Sequence, residues 1–426
     1  MRFSNVAAFV GVTVLLAITA RCSAGQVDAT VNLQPSQTYQ TITGWEATAQ
    51  AGQFECSSFL SYRDELLDRA VDELGVNRVR LEVKSGFENT TDYAQRFLDG
   101  QIDFAGWHQG FYEIVNDNGD PHSINWNGFK FTGVDYVIEN VVLPLKQRLQ
   151  ARGENLFVNV NYVDFKTYTG LHNQNPEEYA EFVLATYLHM QQKYGLVPDA
   201  WEVILEPDNS TWTGTQIGQA IAAAAARLQA NGFSPSFIAP STVSMNRASK
   251  FIDDMMAVQG AKPYVREFSY HRYKEVSTTA LNNIAQRAQQ HGKQTAMLEH
   301  IGSGYEDLHE DLKVGMNSAW SQYTLAFCES PNTGAKYYNI LNSAPYVQLA
   351  GHTHLLRHYF RYVRAGARRI GASSTRNEVD PLAFVNTDGK QVVVLKANSA
   401  ANVTINGLPN GRYGVRFTEY QDPKSY

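Results

Sequence analysis

From residue 63 to residue 341 the apolar positions alternate between two spacings. Residues 63–75 carry Leu66, Leu67, Ala70, Val71 and Leu74 at helical spacing, and residues 77–83 read as a strand. A helix over 134–149, closed by Arg152-Gly153, precedes a strand over 156–163. The same order recurs downstream. Helices predicted over 176–194, 215–229, 248–258, 281–291 and 307–327 alternate with a strand ending at Glu206 and strands over 237–240 and 266–271. A strand ending at Glu299 and one over 336–341 complete the set. With residues 42–45 as the opening strand the count is eight, which predicts a (β/α)8 barrel. Its functional groups are then expected on the loops after the C-terminal ends of the strands.

After a helix over 352–363 the pattern changes to short strands at 382–385, 391–395, 402–405 and 413–417. Asp388-Gly389 and Asn410-Gly411 are turn signals between them. This predicts a small β-sandwich module, which the strand-like residues 27–33 join from the N-terminal side. The expected organisation is a signal peptide over 1–24, an N-terminal strand segment over 25–40, the barrel over 41–372 and the C-terminal module over 373–426.

The first residues read as an export signal: Arg2, an apolar run over 7–20, and Cys22-Ser23-Ala24 as a small-residue cleavage site. The run is too short to span a bilayer, and no later stretch reaches the ~20 apolar residues that a span needs. A secreted or periplasmic protein is expected. Cleavage removes Arg2 and Arg21 and no acidic residue, so the formal charge moves from −6 to −8. Without a basic run for a phosphate backbone, nucleic acid is not an expected partner. Cys56 and Cys328 would remain, and they permit either one disulfide or two buried thiols. A large core, not a cysteine framework, must carry the stability, and a monomer is expected.

Glu206 and Glu299 end separate strands, so the barrel turns both toward one mouth. Cleavage of a glycosidic bond requires such a pair, one carboxylic acid to protonate the leaving oxygen and one carboxylate at the anomeric carbon. Aromatic residues make up 12% of the chain and recur in loop-like stretches such as 107–112 and 126–129, where rings could stack on sugars or simply fill the core.

Further residues occur in a fixed order: Gln40 to Trp45, Arg80, Glu206-Pro207, His271-Arg272-Tyr273, Glu299, and residues 359–370 with their run of Tyr, Phe and Arg. This order resembles the retaining β-glycosidases of glycoside hydrolase clan A, and most closely glycoside hydrolase family 30. The resemblance implies Glu206 as general acid/base and Glu299 as nucleophile. It implies that Arg80 and Tyr273 hold the nucleophile ionised and that His271 and Trp45 line the subsite. For the acid role the Glu206 carboxyl has to be protonated when substrate arrives, which the nearby Glu299 charge would favour. One residue departs from the pattern. The clan places Asn before the acid/base, to contact the sugar 2-hydroxyl, and here Leu205 stands there. Another group such as Asn161 or Asn209 supplies the contact, the substrate differs at that position, or the strand is read one position off. The tyrosines of 336–341 also stand where the clan commonly has Trp.

The expected function is hydrolysis of an oligo- or polysaccharide of xylan, β-1,6-glucan or β-1,6-galactan type, with no cofactor. Two rivals remain at this stage. A metal-dependent barrel hydrolase could use His352, His354, His300 and His358, although an HxH pair opening a helix does not present ligands on one strand face. A non-catalytic carbohydrate binder is motivated by Leu205. Asn89-Thr90-Thr91, Asn209-Ser210-Thr211 and Asn402-Val403-Thr404 match the glycosylation acceptor pattern, which is common by chance.

Overall fold

The structure, a computed structural model, describes residues 11–18, 27–165, 170–328, 335–341 and 346–419. No helix among the described residues is long and apolar enough to cross a membrane. Strand β1 (Gly11–Ile18) is followed by β2 (Val27–Thr41). Eight strands then close a parallel barrel: β3 (Gly44–Ala51), β4 (Arg78–Lys84), β5 (Phe157–Val163), β6 (Ala200–Glu202), β7 (Phe237–Ser244), β8 (Val265–Lys274), β9 (Gln294–Glu299) and β10 (Asn317–Cys328). Each pairs with the next, and β10 pairs with both β9 and β3. Helices cover the outside, so the fold is the expected (β/α)8 barrel.

Three strands differ most from the sequence reading. The opening strand begins at Gly44 and runs to Ala51. The fourth pairs only over Ala200–Glu202, although Val203 and Leu205 still donate backbone bonds to Ile238 and Tyr162 on the flanking strands. The eighth strand is Asn317–Cys328, not residues 336–341. The predicted helix over 307–327 stops at Lys313, where Gly315 and the left-handed Met316 (φ 55°) break it. The strand beyond is buried on both faces, so it lacks the two-residue alternation that marks a half-exposed strand. Lys336–Leu341 is an added strand, β11, lying parallel against the outside edge of β10. β12 (Tyr346–Leu349) pairs antiparallel with it.

The second sheet holds β13 (Arg368–Ser374), β14 (Val379–Val385), β15 (Gln391–Ala397), β16 (Ala401–Asn406) and β17 (Arg412–Glu419), in the order β16-β2-β13-β14-β15-β1-β17. β13 therefore already belongs to this module from Arg368. Along β14 and β15 the parity is clean. Leu382, Phe384, Val392 and Val394 pack into the barrel's core, while Ala383, Val393 and Leu395 form a second core with Ala29, Val31 and Ile370. Asp388-Gly389 makes the predicted turn, with Asn386 N bonded to Lys390 O at 2.8 Å. Asn410-Gly411 does not close a hairpin, because β16 pairs with β2 at one edge and β17 with β1 at the other. Of the expected signal peptide, Gly11–Ile18 is described as β1, parallel to β15 and β17, and the remainder lies outside the described residues. Cys56 and Cys328 form a disulfide, so the ends of the first and last barrel strands are joined across 272 residues.

The barrel interior combines a buried charge network with a small apolar cluster of Ala200, Ile238, Ala296, Leu298 and Ala319. Arg78, fully buried, donates from Nη1 and Nη2 to Glu267 at 2.9 and 2.7 Å and from Nε to Glu46. Burial pushes the Glu46 carboxyl up; Arg78 opposes the shift and Glu202 reinforces it, so Glu46 stays raised. Burial acts the same way on Glu267, but the Arg78 charge and hydrogen bonds outweigh it and hold that carboxyl low. Removing Arg78 leaves buried carboxylates uncompensated. Arg78→Met is expected to lower stability by about 3–5 kcal/mol in urea unfolding. Cys328→Ser is expected to cost roughly 2–5 kcal/mol by the same measurement.

Candidate active site

Glu206 follows β6 in a left-handed conformation, φ 52° and ψ 59°, that a non-glycine residue adopts at a cost of roughly 1–2 kcal/mol. Neighbouring bonds hold it there: its N–H donates to Ser241 O at 3.2 Å, and its carbonyl accepts from Asn209 N at 2.9 Å. The resulting turn lifts the carboxyl off the strand. Its Oε2 accepts from Asn209 Nδ2 at 2.8 Å, and its Oε1 lies 3.1 Å from His271 Nδ1. Asn209 is thus a partner of the acid/base candidate, and its amide is engaged.

Glu299 ends β9. Oε1 accepts from the Tyr273 hydroxyl at 3.0 Å, and Oε2 accepts from Arg80 Nη2. Arg80 is fully buried and is steadied by Thr48 Oγ1, 3.2 Å from Nε, with Glu202 3.9 Å from Nη1. The Tyr273 hydroxyl also accepts from Ile301 N at 3.3 Å, which fixes the loop leaving β9. Burial, and then the Glu299 charge, push the Tyr273 hydroxyl well up, so it stays a donor.

A carboxylate oxygen of Glu206, one of Glu299 and a ring nitrogen of His271 lie within 4.8 Å of one another. These are also the side chains among the described residues whose donor atoms converge closely enough to take a cation. His352, His354, His300 and His358 are not gathered in this way. His358 Nε2 instead meets Thr418 Oγ1 at 2.8 Å, and His300 Nδ1 meets Ser303 Oγ at 2.6 Å.

The proton sits differently from the sequence expectation. Burial raises the Glu206 carboxyl, yet the hydrogen bond and charge of His271, with Asn209 and Arg80, hold it below its ordinary value. Burial pulls His271 down, while its bond to Glu206 and the charges of Glu299 and Glu206 lift it above its ordinary value. The one contact thus holds the carboxyl low and the imidazole high.

Trp45 is not at the mouth. On β3, Glu46 and Thr48 face inward, so Trp45 faces out; it stacks on Phe360 at 4.7 Å and donates from Nε1 to Val363 O at 2.6 Å. Asn161, inside the barrel, is fully buried. Other groups near the site had no separate signal in the sequence. Glu202 bridges Arg80, Asn159 (2.9 Å) and Ser241 (2.6 Å). Tyr323, on β10, has its hydroxyl pushed well up by burial and then by the Glu299 and Glu82 charges, against the opposing charge of Arg80. Only the correct placement of the eighth strand brings Tyr323 to the mouth.

Residues 366–421 match the model of the glycosyl hydrolase family 30 beta sandwich domain. The chain is glycoside hydrolase family 30-like. Among solved structures, the catalytic domain of a family 30 xylanase C from Talaromyces cellulolyticus is similar at 17% identity, with 86% of each chain covered and a TM-score of 0.61. A family 30 endoxylanase from Clostridium papyrosolvens aligns over 84% of this chain and 82% of its own, at 17% identity and a TM-score of 0.56. An endo-β-1,6-glucanase aligns over 86% and 87%, at 16% identity and 0.60. No curated protein matches the sequence. At these identities the likeness is one of fold, and it spans both the barrel and the module of this family-30-like chain.

His271→Gln removes the largest influence that holds Glu206 low and leaves its burial intact. The Glu206 carboxyl is expected to titrate at higher pH in the variant than in the parent, read from its carboxyl carbon resonance.

Proposed function

We propose that the chain is a retaining β-glycoside hydrolase with Glu299 as nucleophile and Glu206 as acid/base. The observation that carries this reading is the approach of the two carboxylates, with an oxygen of each inside the 4.8 Å cluster. Retaining enzymes hold their carboxyl groups ≈ 5–5.5 Å apart, whereas inverting ones leave ≈ 6.5–9.5 Å for a water. Arg80 and Tyr273 supply the charge and hydrogen bond that orient Glu299 for attack.

In the first step a Glu299 oxygen bonds to the anomeric carbon while the glycosidic oxygen leaves with a proton from the Glu206–His271 pair. The proton passes through Glu206, the carboxyl beside the leaving oxygen. Forming the glycosyl ester removes the Glu299 charge, and Glu206 then takes a proton from water as that water attacks the anomeric carbon. Glu299 departs as carboxylate and the pair regains its proton.

The substrate class is an oligo- or polysaccharide of xylan, β-1,6-glucan or β-1,6-galactan type. The family-30 sandwich match and the similar xylanases and glucanase support it. Export through residues 1–24 belongs to the same proposal, and a mature N-terminus near residue 25 is its readout.

Product analysis on those polysaccharides tests linkage and endo or exo action together. Glu299→Gln is expected to lower kcat roughly 10⁴-fold or more, and Glu206→Gln about 10²–10⁴-fold. A 2-fluoro glycoside is expected to label Glu299, and labelling of another residue would overturn the assignment. Activity that survives chelators separates this chemistry from a metal-dependent one. Glycan binding without turnover would favour the binder that Leu205 suggests.

A further inference from the structure

Leu205 directly precedes Glu206 and offers no side-chain hydrogen bond, so a hydroxyl next to the reacting carbon must be met from elsewhere. The neighbouring strand lies within reach. Leu205 N donates to Tyr162 O at 2.9 Å, which sets residues 161 and 162 of β5 flank to flank with the segment carrying Glu206. Asn161 is in register with Glu82 on β4 and Glu202 on β6. It shares the strand face of Asn159, whose amide bonds Glu202 and Glu46 inside the barrel at 2.9 and 3.3 Å. Asn161 therefore points into the barrel two residues nearer its mouth.

Its amide is fully buried, and neither Nδ2 nor Oδ1 has a hydrogen-bond partner among the described residues. Buried side-chain amides are ordinarily paired, and leaving both atoms bare is unfavourable in the free protein. A hydroxyl is both donor and acceptor, so one sugar hydroxyl meets what this amide lacks.

We propose that Asn161 reads the 2-hydroxyl of the reacting sugar, taking the place left by Leu205. The inference rests on the hydrolase reading for its kinetic arm only. Gln322 on β10 is the rival for the role, since it too is fully buried with both amide atoms bare. Its backbone carbonyl, however, accepts from His300 N at 2.9 Å, beside the nucleophile rather than the acid/base.

The test compares parent, Asn161→Ala, Asn161→Ser and Gln322→Ala on matched β-glycosides with and without the 2-hydroxyl. In parallel, calorimetry compares binding of an imino sugar that carries the equivalent hydroxyl with its 2-deoxy counterpart. Asn161→Ala is expected to lower kcat/KM about 10²-fold on the hydroxylated substrate and to leave the 2-deoxy value within about threefold. The imino-sugar preference should vanish in parallel. Equal losses on both substrates would assign Asn161 a structural role and overturn the proposal, as would transfer of the 2-hydroxyl dependence to Gln322→Ala. If the alanine variant does not fold, the serine variant is read by the same criterion. A parent that discriminates the imino sugars through Asn161 but turns nothing over would sink the hydrolase reading while upholding this contact.

Discussion

Two buried arginines set the terms for everything around them. Arg78 and Arg80 lie two residues apart on β4, so both point into the barrel, and neither can be deprotonated to escape the cost of burial. The carboxylates of Glu46, Glu267, Glu202 and Glu299 compensate them from four other strands. Such a network is of little net use to stability, since apolar residues of the same volume could do as well. Its effect is geometric. The fork of Arg80 fixes Glu299 from below while Arg78 and its partners occupy the layer beneath, so Glu299 rests on a stack of charges that cannot repack one at a time.

The same stack bears on the Glu206–His271 pair. Arg80 and Tyr273 hold Glu299 in place, and a second carboxyl a few ångströms from that carboxylate would ordinarily be pushed up. His271 changes that outcome: its hydrogen bond and charge hold Glu206 low against burial, while the same contact and the Glu299 charge lift the imidazole. The two groups titrate as a unit.

The alternation of helix and strand made the barrel legible, and the strand order made Glu206, Glu299, Arg80, His271 and Tyr273 converge before any coordinates were known. What stayed hidden had specific causes. β10 is buried on both faces and carries Trp320, Tyr323 and Phe327 at spacings that also suit a helix, so periodicity alone does not separate the two. The motif position of Trp45 suggests the mouth, but the parity of β3 turns it outward onto Phe360. The sign of the Glu206 shift depends on one contact of 3.1 Å to a residue 65 positions away, which no local pattern encodes.

β2 is made before the barrel, yet its register partners are Ala401–Asn406 on one side and β13 on the other. During synthesis this strand must wait, with both edges unpaired, until nearly the whole chain has emerged. The two units are therefore threaded together rather than joined end to end. A cut at the apparent boundary near residue 367 would not release a self-sufficient barrel; it would leave an open β-edge ahead of it, of the kind that recruits other chains.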